Sequence, residues 1–183
     1  PPAHRDAHPV RRGAHRRRLN RDRPDRSVRP YDRRVASLLV TNDFPPKVGG
    51  IQSYLHELWR RLPPEETTVL TTPHEGADAF DAAEGFRIER TPERVLLPTR
   101  SLARRIDALA REVGASTIVL DPALPLGGLG TRLTAAPYLV VAHGAEITVP
   151  GRLPGSRARL GRVLRGAESV IAAGEYPARE CTH

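Results

Sequence analysis

The chain contains no methionine and a single cysteine, Cys181, in 183 residues. One cysteine excludes an internal disulfide framework and a cysteine-based zinc cluster. No apolar run approaches the roughly 20 residues needed to span a bilayer, and the N-terminus lacks the apolar segment of a secretory signal. Without an initiating methionine, the sequence is expected to be a fragment or to begin at a misplaced start. These absences favour a globular protein from a reducing compartment.

Motifs of several enzyme classes are absent as well. No G-x-G-x-x-G dinucleotide fingerprint follows a predicted strand, and no G-x-x-x-x-G-K-[ST] phosphate loop occurs. There is no G-x-S-x-G nucleophile elbow, and no cluster of His, Asp and Glu has metal-ligand spacing. Phosphate-loop NTPase and α/β-hydrolase chemistry are therefore disfavoured, and we expect no metal site.

The formal net charge of +8 belongs entirely to the first 34 residues. This segment carries 12 Arg and 4 Asp, whereas the rest of the chain carries 17 basic and 17 acidic side chains. Because residues 1–34 are rich in Arg, Pro and His and have little to bury, we expect a disordered basic tail. The tail could bind nucleic acid or anionic lipid, or it could be a solvated extension, which is the favoured interpretation. No nucleic-acid partner is expected.

Order is expected to begin near residue 35, where apolar runs start to alternate with amphipathic segments. The predicted strands are 35–41, 67–72, 86–89, 116–120, 138–142 and 169–172. The predicted helices are 50–62, 101–113, 124–133 and 155–165, with another beginning near the end of the chain. Residues 74–78 are expected to form a polar loop, and 94–98 a short strand or a loop. This alternation predicts βαβ units, hence an α/β fold with a Rossmann-like, doubly wound parallel sheet over 35–183.

The stretch over residues 38–54 reads as a buried strand, a turn with two prolines, a glycine pair and the start of a helix. Gly49 and Gly50 place no side chain above the helix end, where unpaired N–H groups and the helix dipole favour an anion. We therefore expect this turn to face the phosphates of a nucleotide-bearing ligand, although a glycine pair often only makes a turn. Asp43 and Lys47 could bind the ligand, or they could equally cap and solvate the turn.

A second candidate turn covers residues 143–146. His143 follows an apolar strand and precedes a glycine, which places it at the rim of the sheet. Ligands of open parallel sheets bind beyond the carboxyl ends of the strands, so residues 42–50 and 143–146 are expected to share one site. Glu146 could orient His143 or receive a ligand hydroxyl. Asp121 ends the fourth strand and could face the same cleft, or it could start a turn with the proline that follows it.

Two adjacent segments carry a resemblance to a known family, namely LVTNDFPP at 39–46 and GGIQSY at 49–54. They are similar to the opening of family 4 glycosyltransferases, which have the GT-B fold. Further similarity lies at 76–81, around residues 125–126, and at 143–146, so that the resemblance covers about residues 35–180. Among these enzymes the chain is most similar to actinobacterial mannosyltransferases that act on phosphatidylinositol mannosides.

The GT-B fold has two Rossmann-like domains with the active site in the cleft between them. The resemblance implies that residues 35–183 are the N-terminal, mostly acceptor-binding domain, and that the C-terminal donor domain is absent. It also implies retaining transfer of mannose from GDP-mannose to a phosphatidylinositol mannoside-type lipid. The nucleotide sugar is a substrate, and no cofactor or essential metal is expected. The fragment alone is expected to be inactive, because the other domain supplies most nucleotide contacts.

On the donor side, the resemblance implies that Gly49 and Gly50 approach the diphosphate. It assigns His143 a catalytic role, with the imidazole lying against the donor sugar and supporting transfer. Ala145 stands where close relatives often have a second histidine, so part of the sugar contact is expected to differ.

On the acceptor side, the resemblance places Asp43, Gln52 and Tyr54 near the reaction centre or the acceptor. Glu146 is expected to contact the sugar or the acceptor.

Two alternative functions stay open at the level of sequence. The chain could be another family 4 glycosyltransferase with a different nucleotide-sugar donor, or a non-catalytic Rossmann-like binding module that uses the basic tail as an anchor. The expected location is cytoplasmic, with a peripheral position on the inner face of the plasma membrane. Exposed arginines on two helices could touch anionic headgroups, although a solvated charged face is the favoured interpretation; they are Arg104, Arg105, Arg111, Arg157, Arg159, Arg162 and Arg165.

Overall fold

The computed structural model describes residues 36–144 and 154–181. The predicted tail over 1–34 and the predicted site residue Glu146 lie outside the described residues.

Strands and helices alternate along most of the described chain. The strands are β1 (Ser37–Thr41), β2 (Thr67–Thr71), β3 (Arg87–Arg90), β4 (Thr117–Asp121), β5 (Tyr138–Ala142) and β6 (Ser169–Ala172). The α-helices are α1 (Gly50–Trp59), α2 (Ala77–Ala83), α3 (Arg100–Glu112), α4 (Pro154–Gly166) and α5 (Glu175–Glu180). Short 3₁₀ helices cover Pro64–Glu66 and Leu126–Arg132.

The six strands form one sheet in the order β3-β2-β1-β4-β5-β6, and every neighbouring pair is parallel. From β1 the chain builds outward to β3 on one side, and from β4 outward to β6 on the other. The order therefore reverses between β1 and β4, and this switch point is where open α/β sheets bind ligands. The predicted Rossmann-like, doubly wound parallel sheet is confirmed.

Each face of the sheet is covered by its own hydrophobic layer, because successive strand residues point to opposite faces. On one face, Leu39 of β1 packs in a buried cluster with Leu55 and Trp59 of α1. On the other face, Leu38 of β1 shares a cluster with Ile106 of α3. Thr41 lies two residues after Leu39, so its side chain points to the same face of the sheet. The hydroxyl of Thr41, at the carboxyl end of β1, therefore lies on the side of α1.

Three local predictions differ from the structure. Helix α1 ends at Trp59, three residues early, because two prolines at 63–64 restrict the preceding backbone. Helix α2 was not predicted, since it has only seven residues and Phe80 is its one large apolar side chain, which is too little to show a periodicity. The predicted α-helix over 124–133 is a 3₁₀ helix, because it contains three glycines and each costs about 1 kcal/mol in an α-helix. Residues 94–98 form a loop.

Asp107 of α3 is hydrogen-bonded to the segment that precedes β5. Its carboxylate accepts hydrogen bonds from the backbone N–H of Thr134 at 2.9 Å, the hydroxyl of Thr134 at 2.7 Å and the N–H of Ala135 at 3.0 Å. Burial opposes ionisation of Asp107, but these hydrogen bonds, aided by the nearby charge of Arg111, hold its pKa below the ordinary value of 3.8. The folded state therefore binds this proton less readily than the unfolded chain.

This arrangement predicts a pH-dependent loss of stability on substituting Asp107→Asn. Near neutral pH the variant should be less stable by about 1–2 kcal/mol, because an amide cannot accept all of these hydrogen bonds. Since the folded-state pKa is lowered, the stabilisation is present above pH 3.8 and is lost as the pH falls below it. Urea unfolding followed by circular dichroism, at neutral pH and at about pH 2.5, measures the difference. An equal difference at both pH values, or one matched by Glu65→Gln at an exposed position, would contradict this account.

Candidate functional site

The turn between β1 and α1 is held to its neighbours by Asn42. The side-chain amide pairs with the backbone of Leu96, accepting its N–H at 2.7 Å and donating to its carbonyl at 3.2 Å. These two hydrogen bonds resemble the pair that opposite residues of neighbouring β-strands exchange. They join the turn to the loop after β3. The loop over 92–98 is thereby fixed beside the first candidate turn.

Arg90, at the end of β3, is also hydrogen-bonded to the turn between β1 and α1. Its guanidinium forms a bidentate pair with Asp81 of α2, with both N–O distances at 2.7 Å. It also donates to the backbone carbonyls of Thr72 at 2.8 Å and Pro45 at 2.7 Å. The planar guanidinium makes four hydrogen bonds here, two of them a bidentate pair with one carboxylate, and the three N–H donors on the single nitrogen of a lysine could not reproduce that geometry. Nothing in the sequence marks this arginine, since it stands among other charged residues.

The N-terminus of α1 lies at the switch point with its first turn open. The first helical hydrogen bond runs from Ser53 N–H to the Gly49 carbonyl at 3.1 Å, so the N–H groups of residues 50–52 have no carbonyl one turn earlier. Among the described residues no side chain caps this end, and no acidic residue lies in the first turn. The positive end of the helix dipole therefore faces outward without a carboxylate from its own first turn.

The two glycines of this turn differ in what surrounds them. A side chain at Gly49 would collide with the amide oxygen of Gln52, whereas one at Gly50 would meet no described atom within 4 Å. Gly50 has a helical conformation that any residue can adopt, so the fold of the described residues does not require a glycine there. A close external ligand is the explanation that the sequence offers for it.

Asp43 and Gln52, both predicted site residues, are in direct contact. One oxygen of the Asp43 carboxylate accepts from the Gln52 amide at 2.7 Å and from the Lys47 ammonium at 2.6 Å. The Gln52 side chain thus folds back over Gly49 and links the first turn of α1 to the end of β1. Lys47 forms an ion pair with Asp43 within the turn, and a role of either residue toward a ligand stays a prediction.

A chain of hydrogen bonds connects this turn to His143. The Asp43 N–H donates to the Thr41 hydroxyl at 2.8 Å, and that hydroxyl donates to Asp121 at 2.6 Å. The second carboxylate oxygen of Asp121 lies 2.6 Å from Nε2 of His143. Tyr54 of α1 meets the imidazole edge to face, with ring centroids 5.9 Å apart. The first predicted turn and His143, which opens the second, therefore converge on the switch point between β1 and β4.

The structure thus brings together Asp43, Gln52, Tyr54 and His143 at one end of the sheet, with Gly49 and Gly50 above them. Their roles toward a ligand stay predictions. Sequence reasoning considered Asp121 as a cleft residue but did not find Thr41. The available signal was a hydroxyl at the last position of an otherwise apolar strand, in register with Asp121.

A cavity of about 750 Å³ opens beside this site, on the side of β2 and β3. It lies between the turn after β1, the loop after β2 and the loop after β3. Its lining combines cationic, acidic, amide and apolar side chains: Asn42, Lys47, Thr72, Pro73, His74, Glu75, Pro92, Arg94 and Val95. Within residues 36–144 and 154–181, no three His, Cys, Asp or Glu side chains come together as metal ligands would.

The contrast between the two glycines predicts opposite effects of alanine on stability. Gly50→Ala should leave the free energy of unfolding unchanged or raise it by up to about 1 kcal/mol, because alanine restricts the unfolded chain and fits the helix. Gly49→Ala should lower it by roughly 0.5–1.5 kcal/mol, because Gln52 must leave Asp43. Urea unfolding of both variants measures the pair, and Gln52→Ala supplies the control for the lost contact. Equal destabilisation by both alanines would contradict the geometry.

Comparison with known proteins gives relatives of one kind. No family model matches the chain. A GDP-mannose-dependent alpha-(1-6)-phosphatidylinositol monomannoside mannosyltransferase of Mycobacterium tuberculosis is 38% identical over 148 residues, which cover 76% of this chain and 38% of that protein. The corresponding protein of Mycolicibacterium smegmatis is 36% identical over 146 residues, with 76% and 38% covered.

A GDP-mannose-dependent monoacylated alpha-(1-6)-phosphatidylinositol monomannoside mannosyltransferase of Corynebacterium glutamicum is 32% identical over 148 residues, covering 78% of this chain and 39% of that protein. The chain therefore spans well under half the length of these curated relatives. Over the part that it spans, these matches confirm the resemblance that the sequence predicts, to the GDP-mannose-dependent phosphatidylinositol monomannoside mannosyltransferases of glycosyltransferase family 4.

Proposed function

We propose that this chain is the acceptor-side domain of a retaining mannosyltransferase that uses GDP-mannose and a phosphatidylinositol mannoside-type lipid. The observation that carries the proposal is the meeting of the two predicted turns at the switch point, in a chain whose relatives are mannosyltransferases of that kind. The relatives favour neither a different donor nor a non-catalytic binding module. Residues 35–183 are proposed as this domain, with the remaining length of the relatives supplying the donor domain.

The donor diphosphate would lie against the open N-terminus of α1. Gly50 lets the backbone approach the phosphates, and the N–H groups of the first helical turn point at them. Charge develops on the diphosphate as the bond to the sugar breaks, so donors fixed in place beforehand stabilise the transition state. Most contacts to the base are expected from the other domain, which is why we expect turnover to need both.

His143 would lie against the mannose, as the resemblance implies. Asp121 occupies the Nε2 side of the ring and Tyr54 packs edge to face with it. Glu146 stays a proposed sugar or acceptor contact.

The acceptor headgroup would enter the cavity beside the site. A phosphoinositol bearing a mannose offers one phosphate and many hydroxyls. Lys47 and Arg94 in the cavity wall suit the phosphate, while Asn42 and Glu75 suit hydroxyls. Asp43, Gln52 and Tyr54 would lie near the accepting hydroxyl, as the resemblance implies.

A lipid acceptor requires the domain to touch a membrane surface. Within the described residues no helix is both long and apolar enough to cross a bilayer. The two loops that border the cavity expose three large apolar side chains, and Val48 is 97% exposed. We define Val48, Val95 and Leu97 as the apolar rim and propose that it enters the headgroup region on the inner face of the plasma membrane.

The arginines considered from the sequence are less suited to this task where the structure describes their contacts. Arg105 pairs with Glu89 at 3.1 Å, and Arg111 donates to Thr134 at 2.7 Å. These two side chains serve the surface of the domain itself. The apolar rim has the advantage of lying beside the cavity that the headgroup must enter.

A chimera tests the enzymatic proposal. In it, this chain replaces the matching 146 residues of the Mycolicibacterium smegmatis relative. We expect transfer of radiolabelled mannose from GDP-mannose to phosphatidylinositol monomannoside, and no transfer from UDP-glucose. Gly50→Trp should lower kcat/KM at least about 100-fold, because the indole occupies the diphosphate position.

Gly155→Trp is the matched control, since a side chain there also meets no described atom within 4 Å. A folded chimera that uses another nucleotide sugar would favour the alternative donor. Absence of transfer, with the unmodified relative active in the same assay, would contradict the proposal.

Vesicle sedimentation tests the apolar rim. The triple variant Val48→Ser, Val95→Ser and Leu97→Ser should bind vesicles of phosphatidylcholine and phosphatidylinositol at least about tenfold more weakly, because each side chain contributes on the order of 1 kcal/mol when buried. Leu62→Ser, at an exposed apolar position away from the cavity, should bind as the unaltered chain does. Equal weakening by the control, or none by the triple variant, would count against the rim.

A further inference from the structure

Asp121 is the only titratable side chain of the described site that no solvent reaches, with 0% of its surface exposed. It ends β4 at the switch point, directly in register with Thr41 at the end of β1. An ionised carboxylate has no proton to donate, so a buried one needs donors for both oxygens. Here both are supplied by the protein: His143 at one oxygen and Thr41 at the other.

We propose that Asp121 is a positioning residue that fixes the tautomer and orientation of the His143 imidazole and ties the ring to the turn that carries Asp43. This inference rests on the proposed function for its catalytic meaning, although its structural content does not. Because Asp121 is fully buried, it cannot touch substrate, and it acts through the ring that it holds.

The direction of the hydrogen bonds follows from Thr41. Its hydroxyl has one proton and already accepts the Asp43 N–H at 2.8 Å. The proton is therefore donated to the nearer oxygen of Asp121, 2.6 Å away. The other carboxylate oxygen accepts the proton on Nε2 of His143. In the neutral ring the proton then resides on Nε2, and Nδ1 carries the lone pair.

The contact with Asp121 fixes the plane of the ring at the carboxyl end of the sheet, beside the proposed sugar position. The same hydrogen-bond chain fixes the spacing between the ring and Asp43, because Thr41 and Asp121 are both buried and cannot move independently. Loss of the Thr41–Asp121 or the Asp121–His143 hydrogen bond would displace both turns.

The experiment reads the tautomer directly in the full chain labelled with ¹⁵N-histidine. Long-range ¹H–¹⁵N spectra distinguish a protonated from an unprotonated ring nitrogen, and the His143→Gln variant identifies its signals among the seven histidines. In the unaltered chain we expect the proton on Nε2. A proton on Nδ1 alone would overturn the inference without any variant.

Asp121→Asn supplies the second arm. The amide has one acceptor and one donor group, and the Thr41 hydroxyl keeps the acceptor. The amide NH₂ therefore turns toward His143, and the ring proton moves from Nε2 to Nδ1. Thr41→Ser retains the hydroxyl and should leave the tautomer unchanged. An unchanged tautomer in a folded Asp121→Asn chain would overturn the inference.

The chimera described above gives the catalytic arm. Asp121→Asn should lower kcat between about 10- and 100-fold through misplacement of the ring, with little change in KM for GDP-mannose. Glu65→Gln, at an exposed position outside the site, should retain the activity of the unaltered chimera. An inactive unaltered chimera would contradict the proposed function but not the tautomer, whereas a fully active Asp121→Asn chimera with the inverted tautomer would overturn the positioning role.

Discussion

The hydrogen bond between Thr41 and Asp121 is the contact on which the site depends. It joins the two central strands at their carboxyl ends, where the order of the sheet reverses. The connections that follow β1 and β4 lead away in opposite directions and leave a crevice at this point. The buried carboxylate of Asp121 lies in its floor and needs hydrogen-bond donors from the protein itself. Thr41 and His143 satisfy it from either side. The geometry of the crevice is thus fixed by the need to pair one buried charge.

Next to this hydrogen bond, the turn after β1 is held by its neighbours, whereas the N-terminus of α1 is uncapped. Asn42 and Arg90 hold the first turn through three hydrogen bonds, two between Asn42 and the backbone of Leu96 and one from Arg90 to the Pro45 carbonyl. Arg90 is itself held by Asp81 and by the Thr72 carbonyl. Helix α1 begins immediately beyond it without a side-chain cap among the described residues. Because the turn is fixed in place and the helix end is uncapped, no backbone would have to reorganise to receive the diphosphate that we propose there.

Most of the fold could be predicted from the sequence because its signals are local. The apolar runs of β1, β4 and β5 and the amphipathic face of α3 set the βαβ alternation, and the parallel sheet follows from it. The site could be predicted in outline, because carboxyl ends of parallel strands meet at one edge. The hydrogen-bond partners within the site could not be predicted. Asn42 pairs with Leu96 and Arg90 with Pro45 over long separations, and no periodicity records which polar side chain faces which backbone group.

The Thr41–Asp121 contact spans 80 positions of the sequence. Closing so long a loop costs conformational entropy that nearer contacts do not, so such pairings form after local structure during folding. Strands β1 to β3 precede β4 in the sequence, and the carboxylate that contacts His143 ends β4. During synthesis the first turn therefore leaves the ribosome well before its partner. The crevice is completed only when the second half of the sheet docks, so the first turn and His143 are not brought together in an incompletely folded chain.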